Sequence, residues 1–274
     1  MKDEIERATG RRVVAARRVG GGCINDGWRV EFDDRSVAFV KTRAGVPPDE
    51  YSNEAAALRW LAEPRAVNVP EVLGHSERVL AIEWIDEGRL TPTGAEQLGR
   101  GLAATHAAGA GTFGGPRPLR IGRLELPNDP LGDWPSFYAE RRLLPLAGSL
   151  DRDGAQTVER VCERIHDLAG PPEPPARLHG DLWGGNVLAD VHGKGWLIDP
   201  VAYGGHREID LAMLRLFGAP SPRVLDAYAE AAPLADGHEE RVGLWQLFPL
   251  LVHAALFGGH YRARAAQMAR RCAG

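Results

Sequence analysis

The apolar positions of the first third of the chain read as short strands with one helix. Val13 to Val19 is rich in β-branched residues and predicts a strand that runs into the loop Gly20-Gly-Gly-Cys-Ile-Asn25. Trp28 to Phe32 alternates, Asp33 to Ser36 is a turn, and Val37 to Thr42 predicts the next strand. Pro47-Pro-Asp49 then precedes a helix with Glu54, Leu58 and Leu61 on one face. Val79 to Ile85 is a further apolar strand, and the polar, turn-rich stretch Asp86 to Pro92 marks a boundary between residues 1–86 and 87–274.

From Thr93 onward the apolar period is that of helices. Gln97 to Ala108 is one. Asp133 predicts the N-cap of a second, with Trp134-Pro135 in its first turn. Val158, Val161, Cys162, Ile165 and Leu168 are spaced for a third over Thr157 to Leu168, and Ser221-Pro222 opens a later one. A short β-rich island lies between them, approached through the stiff segment Gly170 to Pro175. Leu244 to Phe257 is apolar but too short for a bilayer, and Gln246, Pro249 and His253 interrupt it, so it reads as a buried helix.

Composition narrows the class. The 274 residues are 44% hydrophobic and 26% charged with a net charge of −4, an ordinary globular balance without the clustered basic excess of a nucleic-acid or membrane-surface binder. The charged N-terminus has no apolar leader segment. Three distant cysteines argue against a zinc site or a disulfide scaffold and make a reducing cytoplasm the expected compartment.

The β-rich island carries the chemistry. In His179-Gly-Asp-Leu-Trp-Gly-Gly-Asn186 a carboxylate and an amide stand five positions apart on a Gly-rich loop. Thirteen residues after Asn186, the run Trp196-Leu-Ile ends in Asp199-Pro200. Phosphoryl transfer needs one carboxylate near the attacking hydroxyl, which Asp181 supplies, and hard oxygen ligands for magnesium, which Asn186 and Asp199 supply. A neutral amide beside a carboxylate binds the metal without crowding negative charge against nucleotide phosphates. A small β-lobe followed by a helical lobe holding this loop is the order of an α+β, protein-kinase-like two-lobe fold. Residues 1–86 would be the nucleotide-binding lobe, and 87–274 the lobe with the catalytic loop and substrate site.

Other candidates read two ways. Gly20, Gly21 and Gly22 could bring backbone N–H groups to phosphate or form a hairpin turn. Lys41 is a strand-end surface lysine or an ammonium for the ATP phosphates oriented by Glu54, with Glu50 the alternative partner. Trp183 offers a sugar an aromatic face or packs beneath the loop. His206 and Arg207 face substrate or cap loops. Asp210 reads as a brace accepting backbone N–H bonds from the catalytic loop, and His179 as a core histidine.

The catalytic loop, Ile198-Asp-Pro200, Tyr203-Gly-Gly-His-Arg-Glu-Ile-Asp-Leu-Ala-Met213, the Gly20 to Asn25 loop and Asp133-Trp-Pro-Ser-Phe-Tyr138 together resemble the fructosamine-3-kinase (ketosamine-3-kinase) family of the aminoglycoside-phosphotransferase-like group. The resemblance runs from about Val13 to about Tyr261. It implies ATP- and magnesium-dependent phosphorylation of the 3-hydroxyl of ketosamines, with Asp181 as base, Asn186 and Asp199 as metal ligands and Lys41 on the phosphates. It makes Glu83-Trp-Ile85 the hinge whose backbone binds adenine. It also suggests that Cys23 can pair with its counterpart in a second subunit. Phe113 to Leu119 lacks the Asp-Asn pair usual in the family, which leaves the exact ketosamine open.

Two other functions compete. An aminoglycoside kinase would need clustered acid for a polycation, whereas the C-terminal third is basic at Arg262, Arg264, Arg270 and Arg271; a choline-type kinase is the related alternative. A non-catalytic binding protein of this fold would have lost the lysine, the base or a metal ligand, and all are present.

Overall fold

The computed structural model describes residues 1–20, 26–219 and 221–274. Gly21, Gly22 and Cys23 lie outside the described residues.

The chain opens with helix α1 (Lys2–Thr9), which the sequence pattern did not reveal because Ile5 is its only buried residue. Ile5 packs with Val13, Val30, Val40 and Val79. Strands β1 (Val13–Val19), β2 (Asp26–Phe32) and β3 (Val37–Thr42) follow, then helix α2 (Glu50–Ala62), β4 (Val72–His75) and β5 (Val79–Glu83). The five strands form one antiparallel sheet in the order β1-β2-β3-β5-β4. Tyr51, Ala55 and Leu58 recur every three or four residues and bury one face of α2 against Leu80 and Ile82 of β5. That packing leaves other positions of α2, Glu54 among them, turned toward a cleft.

The helical part begins at α3 (Pro92–Ala107), five residues before the apolar period suggested. Thr91 caps it, its Oγ1 accepting from the Gly94 amide at 3.1 Å, and Pro92 stands where no amide is needed. A hairpin of β6 (Leu119–Ile121) and β7 (Leu124–Leu126) leads to α4 (Trp134–Tyr138). Asp133 caps α4 by accepting from the Ser136 amide at 2.9 Å, as its sequence setting implied. A wide helical turn at Ala139–Leu143 joins α4 to α5 (Leu144–Ala147).

The helix expected over Thr157 to Leu168 is two, α6 (Arg152–Glu163) and α7 (Ile165–Leu168). Arg164 leaves helical geometry between them, and its guanidinium caps the Ala273 carbonyl at the end of the chain. Short strands β8 (Ala176–Leu178), β9 (Val187–Ala189), β10 (Gly195–Leu197) and β11 (Tyr203–Gly205) pair as β8 with β11 and β9 with β10. Helices α8 (Glu208–Phe217), α9 (Pro222–Ala231), α10 (His238–Phe257) and α11 (His260–Ala273) complete the lobe. α10 is buried over most of its length, and no described helix is long and apolar enough to cross a membrane.

Two cores hold this part. Trp134, Phe137, Tyr138 and Trp245 anchor one, while Leu98, Leu102, Leu182, Leu197 and Leu211 form the other beneath the loop that follows β8. A β-rich lobe over a mostly helical lobe is a protein-kinase-like, two-lobe α+β architecture.

Candidate active site

Strand β8 delivers the loop His179–Asn186 to the cleft between the lobes. Gly180 takes a positive φ of 83°, and a Cβ there would lie 2.1 Å from the Val201 carbonyl oxygen, so no other residue fits without strain. Asp210, at the start of α8, holds the loop from behind. Its carboxylate accepts from the His179 amide at 2.7 Å and the Gly180 amide at 3.0 Å, and contacts His106 Nε2 at 3.2 Å. Burial alone would raise the Asp210 carboxyl, but these hydrogen bonds hold it below its ordinary value.

His179 is fully buried, and the tautomer of its ring follows from its partners. Its Nδ1 faces the Asp181 amide at 3.3 Å and must accept, so Nε2 carries the proton and donates to the Ile198 carbonyl at 2.9 Å. The ring therefore ties the loop to the segment ending in Asp199.

Asn186 folds the loop back on itself. Its Nδ2 donates to the Asp181 backbone carbonyl at 2.8 Å and to the Asp181 carboxylate at 3.1 Å. The Asn186 Oδ1 is thereby left for another partner. Burial pushes the Asp181 carboxyl above its ordinary value, against the smaller opposing effect of the Asn186 hydrogen bond.

Across the cleft, Asp199 sits at φ 55°, a left-handed conformation that is uncommon outside glycine and often stores strain at functional sites. One of its oxygens lies 2.6 Å from Lys41 Nζ on β3. The same ammonium lies 2.6 Å from Glu54 on α2. Burial would lower the Lys41 ammonium, yet the two carboxylates raise it, so it stays charged. Glu50, the alternative partner, pairs instead with Arg43 at 2.6 Å.

Lys41, Glu54, Asp181 and Asp199 line one cleft of about 1110 Å³. Trp183 lines it with 39% of its surface exposed, its ring lying over Gly185, where a Cβ would come within 2.2 Å of the indole. The wall continues through Phe217, edge-on to Trp183 at 6.3 Å, and His253, 4.7 Å from Phe217. His253 in turn lies 5.5 Å from Phe257 and 4.9 Å from Tyr261, measured between ring centres. Sequence reasoning missed this wall, treating His253 as an interruption of an apolar run. The available signal was the four-residue spacing of Pro249, His253, Phe257 and Tyr261, one face continuing past the end of α10.

Glu83 ends β5, and Ile85 lies on the connection between the lobes, which is held by the Val191 amide donating to the Asp86 carbonyl at 3.0 Å. Gly20 follows β1, and among the described residues no heavy atom beyond its chain neighbours lies within 4 Å of where a Cβ would stand.

Of the two readings open for His206 and Arg207, the substrate-facing one needs correction: neither lines the cleft. His206 is buried and stacked on Trp245 at 5.4 Å, and burial lowers its pKa. Arg207 forks onto Glu173 at 2.7 and 2.8 Å and donates to the Ala232 and Pro233 carbonyls, which makes it a clamp between loops.

Comparison with known proteins agrees with this geometry. A family model described as fructosamine kinase matches residues 1–273. A candidate ketoamine kinase of Synechocystis is 34% identical over 98% of this chain and 94% of its own length. A chloroplastic protein-ribulosamine 3-kinase of Arabidopsis thaliana is also 34% identical, over 90% of this chain and 79% of its own length. The crystal structure of a candidate fructosamine-3-kinase from Thermobifida fusca superposes with a TM-score of 0.93 at 44% identity, covering 99% of this chain and 98% of that one.

Proposed function

The chain belongs to the fructosamine kinase family, and from that premise we propose that Asp181 is the base through which it phosphorylates the 3-hydroxyl of ketosamines at the expense of ATP. The activity is that of an ATP-dependent ketosamine kinase. The observation that carries the residue assignment is the convergence of Asp181, Asp199 and the Lys41–Glu54 pair on one cleft walled by Trp183, with Asn186 bonded to Asp181 from behind it.

The steps follow from these side chains. The sugar hydroxyl oxygen attacks the γ-phosphorus while Asp181 accepts its proton, and the bond from that phosphorus to the bridging oxygen of ADP breaks. The raised carboxyl of Asp181 makes it a better proton acceptor than an exposed aspartate. Lys41, held charged between Glu54 and Asp199, places positive charge where the phosphates would lie. The donor set fits magnesium: Asn186 Oδ1 and the Asp199 oxygen not facing Lys41 are hard oxygen ligands, and phosphate oxygens and water would complete the shell. When bound, the ion supplies charge neutralisation on the phosphates. The backbone of Gly20, Gly21 and Gly22 would cover the phosphates, and that of Glu83 to Ile85 would take adenine. Trp183 would take the apolar face of the sugar.

Choline and aminoglycoside kinases share the fold alone. A choline kinase of Streptococcus pneumoniae superposes with a TM-score of 0.66 at 14% identity. A panel of ribulosamines, fructosamines, aminoglycosides and choline, scored for ADP release, separates the readings. Turnover confined to the ketosamines is expected, and turnover confined to an aminoglycoside or choline would contradict the assignment.

Cys23 belongs to this proposal on sequence grounds alone. A thiol in a loop that attracts anions favours thiolate, the reactive form. Diamide should then give an inhibited, disulfide-linked dimer that reductant restores. A monomer band with full activity under diamide would contradict that. The cytoplasm is the compartment that fits the few, dispersed cysteines.

A further inference from the structure

We propose that Arg177 is a positioning residue that latches helix α2 to the strand feeding the catalytic loop, and so sets the Lys41–Glu54 pair relative to Asp181. The inference rests on the reading of those three residues given above. Arg177 lies on β8, two residues before His179. Its guanidinium reaches across to the last turn of α2. There it donates to the Trp60 backbone carbonyl, pairs with Glu63 at 2.7 Å and lies 4.5 Å from the centre of the Trp60 ring. A fourth contact, from Nε to the Gly109 carbonyl at 3.3 Å, fixes the other edge of the fork to the end of α3. Only 11% of the side chain is exposed.

The chemistry suits a latch. The last carbonyls of a helix carry the negative end of its dipole. The Trp60 carbonyl already accepts from the Glu63 amide at 3.3 Å, and the part-buried guanidinium adds a charged donor there and lies over an aromatic face. A lysine could supply the charge but not the stacked, forked geometry.

The mechanical consequence follows from where α2 is held. Beyond its end, Asn68 is already joined to the helical lobe, donating to the Gly195 carbonyl at 3.0 Å and accepting from the Leu197 amide at 2.9 Å. Near its start, Asn53 accepts from Arg117 at 2.8 Å, an exposed contact. The part-buried Arg177 contact holds the last turn between these points, less than two turns beyond Glu54. Loosening it lets the helix tilt, moving Glu54 and with it the Lys41 ammonium, while Trp183 and the sugar wall stay in place.

The test is Arg177→Met, which keeps an apolar stem of similar length. Amide hydrogen exchange is followed by mass spectrometry in the full-length variant and wild type, alongside steady-state kinetics with Mg-ATP and a ribulosamine. Exchange across residues 50–62 should quicken while that of α10 is unchanged. The kcat should fall about three- to thirty-fold, the scale of a lost coupling contact, with the ribulosamine KM nearly constant. A merely structural role would speed exchange throughout and lower Tm without this split. Wild-type exchange over residues 50–62, or an unchanged kcat, would overturn the latch. Should the wild type turn over no ketosamine, the proposed function would fall, and the exchange comparison would still decide the latch.

Discussion

Asn186 donates from one amide nitrogen to both the backbone carbonyl and the carboxylate of Asp181, at 2.8 and 3.1 Å. One residue thus orients the base while its own oxygen is left free of those two bonds. Asn186→Ala should therefore weaken Mg-ATP binding and also lower kcat, because Asp181 loses its restraint. Asp199→Ala should abolish magnesium-dependent nucleotide binding, since Asp199 alone of the two brings charge to the cation. Calorimetric titration of Mg-ATP into both variants checks the order, and wild-type affinity in both would contradict it.

Trp183 predicts a selective effect on the sugar. Trp183→Ala should raise the ketosamine KM several-fold and leave the ATP KM unchanged, a stacking contact being worth about 1 kcal/mol. Gly185→Ala should act in the same direction, because its methyl would displace the indole that lies over Gly185. An unchanged sugar KM with a lowered Tm would make Trp183 a packing residue only.

The burial of Asp181 has a pH signature. A base must be unprotonated, so kcat/KM for the ketosamine is lost as pH falls through the carboxyl's raised value. The half-fall should lie above 3.8, the ordinary aspartate value. A kcat/KM profile on protein shown to stay folded by circular dichroism measures it. A half-fall at or below 3.8 would contradict the reading.

Much of this was legible in the sequence, for local reasons. The strands Val13 to Val19 and Val37 to Thr42 are rich in β-branched and apolar residues and are bounded by turn residues, so their bounds match β1 and β3. The spacing of Asp181, Asn186 and Asp199 survives because the loop and the strands around it are contiguous. Long-range pairings were not legible. Arg207 stands beside the catalytic motif, but its partner Glu173 comes from the Pro-rich approach 34 residues away. His206 stacks on Trp245 and lies near Trp134, which arrive from distant segments. The β6–β7 hairpin has only three residues per strand, too few for a period to show. The partners of Arg177, Trp60 and Glu63, lie more than a hundred residues away, so no local pattern announces them.

The central claim is that Asp181 takes the proton from the sugar hydroxyl, and the kcat of Asp181→Asn with a ketosamine and saturating Mg-ATP tests it most directly. Asparagine keeps the shape and removes the proton acceptor. It also relieves a buried carboxylate whose ionised form is disfavoured, so Tm should not drop. The account predicts a kcat lower by about two to four orders of magnitude, the range for loss of a general base, with Mg-ATP affinity nearly unchanged. A variant that keeps more than about a third of the wild-type kcat, far outside that range, would contradict it.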